Sequence, residues 1–214
     1  MIEVLQTRSG APVSVSRPKP GRGMLTRQRL MAAARAELIE SAGAAEISAI
    51  ARRAGASAGL AYHHFGSKEG LVAAVVEDFY ACYAAVVNAR YDGAGWAERE
   101  IQRTRETVLF LLRDPFTATL FGPLSRSGAV VQAEAACLAV LVELGARNIA
   151  QGQADGDLPR QSDAGMAAAF VLGGMRQAVT AALLADPHPD PIQLARTIWI
   201  LTAQSLGLRP ASRS

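Results

Sequence analysis

The stretch Ile47-Ser-Ala-Ile-Ala-Arg-Arg-Ala-Gly-Ala-Ser-Ala-Gly-Leu-Ala-Tyr-His-His-Phe-Gly-Ser-Lys-Glu-Gly-Leu71 decides how this 214-residue chain folds. Its serines and glycines punctuate it. Ser48 is placed to cap a short helix, Ala49 to Ala54, which Gly55 ends; Ser57 opens another that runs to Phe65. Gly66 breaks that helix and Ser67 caps the next. Upstream, Leu30, Ala33, Ala34, Ala36, Leu38 and Ile39 recur with a helical period, from Thr26 as a cap to about Ser41. Three helices joined by links of two or three residues read as a helix-turn-helix, whose second helix steadies a third that lies in the major groove of DNA. Ile47, Ile50 and Ala51 are expected to face inward with Leu60 and Phe65, against Leu30, Ala34 and Leu38. Arg52 and Arg53 then fall outside.

The chemistry of this segment suits a phosphate-rich partner. Small residues at the start of the third helix let its backbone come close to base edges, and Ser57 can hydrogen-bond to bases or phosphates. Tyr62 and His63 reach phosphates or a thymine methyl, and Lys68 adds a cation beside free helix N–H groups. Charge is distributed in the same sense. Residues 1–70 hold ten Lys/Arg and five Asp/Glu, a net of +5; residues 71–214 hold twelve and fourteen, a net of −2. His63 and His64 point about 100° apart on a helix with no third ligand nearby, so no metal is expected.

The remainder is helical in period throughout, with no alternating strand. Helices are expected over about Lys68 to Ala89, Ala97 to Leu112, Phe116 to Leu124, Val130 to Gln151, Asp163 to Ala185 and Pro191 to Leu206, giving an all-α fold of about nine helices. Three regions follow: residues 1–23 as a disordered basic tail, 24–70 as the helix-turn-helix domain, and 71–214 as a larger helical body for effector binding and dimerisation. Cys82 and Cys137 read as reduced core residues of a cytoplasmic protein. The longest uninterrupted apolar run, Ala164 to Met175, is shorter than a bilayer span and ends at Arg176, so no membrane partner is expected. There is no nucleophile elbow, phosphate-binding glycine loop, paired carboxylates or metal cluster, so neither an enzyme nor a cofactor is expected.

From Ile47 through Leu71 the sequence resembles the signature of the tetracycline-repressor (TetR) family, and the preceding helix, with Thr26-Arg27 and Ala32 to Ala36, is similar to that family's first helix. The resemblance covers about residues 25–72. It implies a DNA-binding transcriptional regulator, a repressor that a small-molecule effector releases from a palindromic operator in double-stranded DNA. A constitutive or architectural DNA-binding protein without a switch is the alternative. The resemblance further implies DNA contacts from Thr26, Ser48, Ser57, Ala58, Gly59, Tyr62, His63 and Lys68. Ala58 stands where many relatives carry lysine or arginine, which removes one contact.

The last two helices fit a homodimer. Ala169, Gly173, Gln177 and Ala181 recur every four residues, and Ala195, Trp199 and Thr202 lie on one stripe of the final helix; the resemblance implies a four-helix interface with a second copy. It also implies an effector cavity among the middle helices, with Trp96, Phe110, Phe116, Phe121 and Met175 as candidate lining residues. Arg105 and Arg176 interrupt apolar stripes, so each calls for a partner: Glu77, Asp78 or Glu106, or an anionic ligand. The effector is unidentified at this level.

Overall fold

A computed structural model describes residues 21–160 and 163–208. The basic tail expected over 1–23 falls almost entirely outside them. In chain order the helices are α1 (Arg22–Glu40), α2 (Ile47–Arg53), α3 (Ala58–Phe65), α4 (Lys68–Val87), α5 (Trp96–Arg113), α6 (Phe116–Phe121), a 3₁₀ turn (Pro123–Arg126), α7 (Gly128–Asp155), α8 (Ala164–Leu184) and α9 (Pro191–Ser205). The fold is all-α, with nine α-helices and no strand among the described residues.

Side-chain caps fix several boundaries. Ser57 accepts from the Leu60 N–H at 3.2 Å, Ser67 from Gly70 at 3.0 Å, Asp163 from Met166 at 2.8 Å and Asp190 from Gln193 at 2.8 Å. Two expected caps are corrected. α1 starts at Arg22, so Thr26 lies in its second turn; α2 starts at Ile47 behind Glu46, which places Ser48 inside the helix. Starting α2 two residues earlier carries Ile47, with Ile50 and Ala51, into the core. Gly55 closes the α2–α3 turn with φ of +61°, a left-handed conformation in which a side chain is strained.

The three-helix unit packs Leu30, Ala34 and Leu38 of α1 against Ile47 and Ile50, as the periodicity implies. α3 is turned differently from the expectation. Ala61 is its fully buried residue, while Leu60 and Phe65 are only half-buried. Alanine at the contact lets the short helix lie close to its neighbours, and the Arg27 guanidinium covers Phe65 at 4.9 Å from the ring centre.

α4 links this unit to the body. Leu71, Val75, Phe79 and Tyr83 form its inward stripe, and it packs most extensively on α7, which in turn packs on α8. Phe79 sits in an aromatic cluster with Phe110, Phe116 and Phe121, so one apolar core runs from α1 into the body. A second cluster gathers Trp96, Ile149, Leu158, Ala168 and Leu206 at the far end. Arg35 of α1 bridges to Asp114, lying over the Phe116 ring at 4.9 Å; Asp114 also accepts from the Phe116 N–H at 2.9 Å.

A polar cluster crosses the body. The Tyr80 hydroxyl of α4 and the Arg176 guanidinium of α8 both donate to Glu134 of α7. Arg176 also donates to the Tyr80 oxygen at 3.0 Å and lies 4.2 Å over the Phe121 ring. Burial, followed by the adjacent Glu134, raises the Tyr80 phenol well above its ordinary value, which keeps it a donor.

Two further expectations change. Cys82 is exposed on α4 rather than in the core, and Cys137 is half-buried with its thiol pushed up by burial. Helix α8 continues past Arg176, and three helices (α4, α7 and α8) are long and apolar enough, by length and composition alone, to cross a membrane. Here α7 packs between α4 and α8 in a bundle whose interior holds the Arg176–Glu134 pair.

Candidate DNA-binding surface and effector cavity

The residues singled out around α3 share one rim. Ser57, Gly59 and His63 are exposed, Tyr62 is 50% exposed, and Ala58 and Lys68 are half-buried at the start of α3 and α4. Ser48 is exposed on α2 and Thr26 half-buried on α1. The His63 and His64 rings meet edge to face at 5.5 Å. Lys68 is engaged: its Nζ lies 3.1 Å from Glu46 across the mouth of the motif. Arg53 bridges to Glu37 at 3.1 Å and Glu40 at 2.6 Å, and its guanidinium holds Glu40 below the usual carboxylate range. Arg52 is exposed and makes no ion pair among the described residues. The junction between α3 and α4 is tight. A Cβ on Gly70 would stand 2.2 Å from the Phe65 carbonyl oxygen, so only glycine allows α4 to leave α3 at this angle.

The body contains a cavity of about 340 Å³ between α5, α7, α8 and α9, with Val87 and Asn88, where α4 stops, also in its lining. Of the expected lining residues, Trp96 and Met175 are present. The others lie elsewhere. Arg105 points to solvent, 3.8 Å from Glu106. Phe110, Phe116 and Phe121 pack on Phe79 in the core, and Arg176 is taken up by Glu134 and Tyr80. The partner of Arg176 is thus Glu134, not Glu77, Asp78 or Glu106; Glu77 and Asp78 are exposed.

The α5 wall is Trp96, Glu100, Arg103, Thr104 and Thr107, which recur at helical spacing on one face. The stripe that Arg105 was expected to interrupt is one residue out of phase with this wall, since Arg105 and Ile101 one turn before it are both exposed. The signal was available in the sequence. Trp96 is followed by polar residues at that spacing, and the same face turns apolar at Val108 and Leu111, where the core begins. Arg103 Nε donates to Glu100 at 2.8 Å, and Nη1 donates to the carbonyls of Val87 and of Ala89, the latter at 3.0 Å, with the guanidinium over Tyr91 at 4.8 Å. A cation on carbonyls at a helix C-terminus is electrostatically favourable, and it ties the cavity wall to the end of α4.

On the opposite side, Ala169, Gly173, Gln177 and Ala181 of α8 are exposed, together with Met166, Phe170 and Leu184. The α9 stripe is corrected. Ala195 is buried in the core, Trp199 packs on Trp96 with ring centres 6.3 Å apart, and Thr202 lines the cavity. Packing of α9 on α5 turns that stripe inward and leaves Ile200 and Leu201 outward.

Residues 30–75 match the family model described as bacterial regulatory proteins, tetR family. No curated protein matches the sequence. Among solved structures, the fold is similar to that of Salmonella enterica GusR, with a TM-score of 0.72 and 19% identity over 87% of this chain and 98% of that one. It is similar to the transcriptional regulator FadR from Bacillus subtilis in complex with stearoyl-CoA, at 0.71 and 18%, over 86% and 99% of the two chains. It is also similar to SmeT, the repressor of the Stenotrophomonas maltophilia multidrug efflux pump SmeDEF, at 0.70 and 17%, over 87% and 94%. Residues 30–75 thus carry the amino-terminal segment described for the tetR family of bacterial regulatory proteins, and the nine α-helices of the described residues share the fold of these solved structures.

Proposed function

We propose that the chain is a cytoplasmic, non-enzymatic repressor that binds a palindromic operator as a homodimer and leaves it when a small molecule fills the cavity. The observation that carries this is the path between the two sites. α4 joins α3 at the tight Gly70 junction and ends at the cavity, where Arg103 holds its last carbonyls. A ligand that fits one arrangement of α5 and the α4 terminus better than another biases the spacing of two recognition helices by that difference in affinity. Ser57, Ala58, Gly59, Tyr62 and His63 are the proposed groove contacts. Thr26, Ser48, Arg52 and Lys68 are proposed at phosphates, Lys68 exchanging Glu46 for DNA. The exposed faces of α8 and α9, now with Phe170, Ile200 and Leu201, are the proposed dimer surface. A constitutive regulator without a switch calls for a solid body, and the 340 Å³ cavity weighs against it.

The test is binding of the full chain to the duplex upstream of its own coding sequence, followed by fluorescence anisotropy. A protein contacting about six phosphates should lose on the order of a thousandfold in affinity between 50 and 200 mM salt. Tyr62→Ala should weaken it further at every salt concentration. Affinity indifferent to salt and to Tyr62 would rule the reading out.

A further inference from the structure

Resting on the reading of the cavity as the effector site, we propose that its ligand is a small uncharged molecule with a hydroxyl or amide group on a ring-sized apolar body. Size comes first. The cavity holds about 340 Å³. This sits at the lower end of the range for small-molecule pockets.

Polarity comes next. Thr104 and Thr107 are 6% and 2% exposed, line the cavity, and make no side-chain hydrogen bond among the described residues. Neither hydroxyl is sealed off in the way the Thr117 hydroxyl is, so both open into the cavity. A buried hydroxyl without a partner carries a desolvation cost that a ligand's polar group removes. One turn away, Glu100 gives one carboxylate oxygen to Arg103. The Arg103 charge is met by that carboxylate and by two backbone carbonyls, so it is not presented to a ligand. The polar corner therefore offers two hydroxyls beside a carboxylate. That arrangement receives a hydroxyl or amide N–H; the other lining cation, Arg147, is paired with Glu143 at 3.1 Å, so each cation at the cavity already has a carboxylate and the Glu100 charge disfavours an anion. From α7 and α8, Leu144, Val171, Leu172 and Met175 make an apolar wall, and the Met175 thioether favours an aromatic ring.

The experiment is calorimetric titration of the full chain with para-ethylphenol, ethylbenzene, para-ethylbenzoate and decanoyl-coenzyme A. Para-ethylphenol is expected to bind tightest. Thr104→Val and Thr107→Val, which keep side-chain shape, should each weaken it about fivefold, the loss of one hydrogen bond. Thr104→Ser should restore affinity, and ethylbenzene should bind both valine variants at least as well as the parent. Tighter binding of the benzoate or the coenzyme A ester, no binding by any of the four, or valine variants without effect would overturn the proposal. Leu172→Trp, which fills the cavity, separates the two layers of the argument. If it abolishes binding of a preferred anion, the site stands and only the ligand class falls. If it leaves all binding intact, the site falls too.

Discussion

Replacing Arg176 by methionine isolates the polar cluster inside the body. The methionine stem keeps most of the apolar packing on Phe121 but removes the guanidinium that donates to Glu134 and Tyr80. Glu134 is then a nearly buried carboxylate whose remaining donor is the Tyr80 hydroxyl. Removing one partner of a fully buried pair costs about 3–5 kcal/mol. The Arg176 side chain is 27% accessible, so water softens the loss, and about 2–3 kcal/mol is expected after discounting for that screening. For a chain of this length that lowers the melting midpoint by roughly 5–10 °C. The assay is far-ultraviolet circular dichroism with urea and heat, at one protein concentration because a dimer's midpoint depends on it. Glu134→Gln in the Arg176→Met background should recover at least half of the loss by removing the stranded charge. An unfolding free energy within about 0.5 kcal/mol of the parent, or no recovery in the double variant, would show that the cluster is solvated and refute the argument.

Other consequences concern the junction, the tyrosines and the outer face. Gly70→Ala forces a Cβ against the Phe65 carbonyl, so a loss of about 1–3 kcal/mol and much weaker DNA binding are expected in melting and anisotropy; an unchanged protein would mean that the junction yields freely. Tyr80 and Tyr83 are both held above the ordinary phenol range, first by burial. Each ionises more readily unfolded than folded, so stability should fall as pH rises above about 10, and their absorbance change should coincide with unfolding. A phenolate signal from these two in the folded chain, assigned with Tyr80→Phe and Tyr83→Phe, would contradict that. Phe170 is 68% exposed amid the small residues of α8, and Phe170→Asp should yield folded monomers by light scattering whose melting midpoint no longer depends on protein concentration. A persistent dimer would move the interface elsewhere.

Much of the architecture was legible because glycine and serine mark helix ends locally. Ser57 and Ser67 cap as expected, and the α4 stripe is inward as expected. Ser48 was misread because a serine at a helix start competes with the need to bury Ile47, and burial prevailed. The cavity was harder to read. The cavity-lining face of α5 is polar, so apolar periodicity points to the stripe through Arg105 and gives no sign of Glu100, Arg103, Thr104 and Thr107. The aromatic residues Phe110, Phe116 and Phe121 were assigned to the cavity by type, whereas Phe79, contributed from α4, draws them into the core. The α9 stripe was correctly periodic, yet periodicity alone does not say whether a stripe faces the protomer or a second copy. Contact with α5 decides that.

The central claim is that two copies of α3 read one DNA duplex. Hydroxyl-radical footprinting of the full chain on its upstream DNA tests this most directly. The account predicts two protected patches on one face of the duplex, about one helical turn or a multiple of it apart. Both should be lost together in Tyr62→Ala and in Phe170→Asp. A single isolated patch, or protection that survives both substitutions, would contradict it.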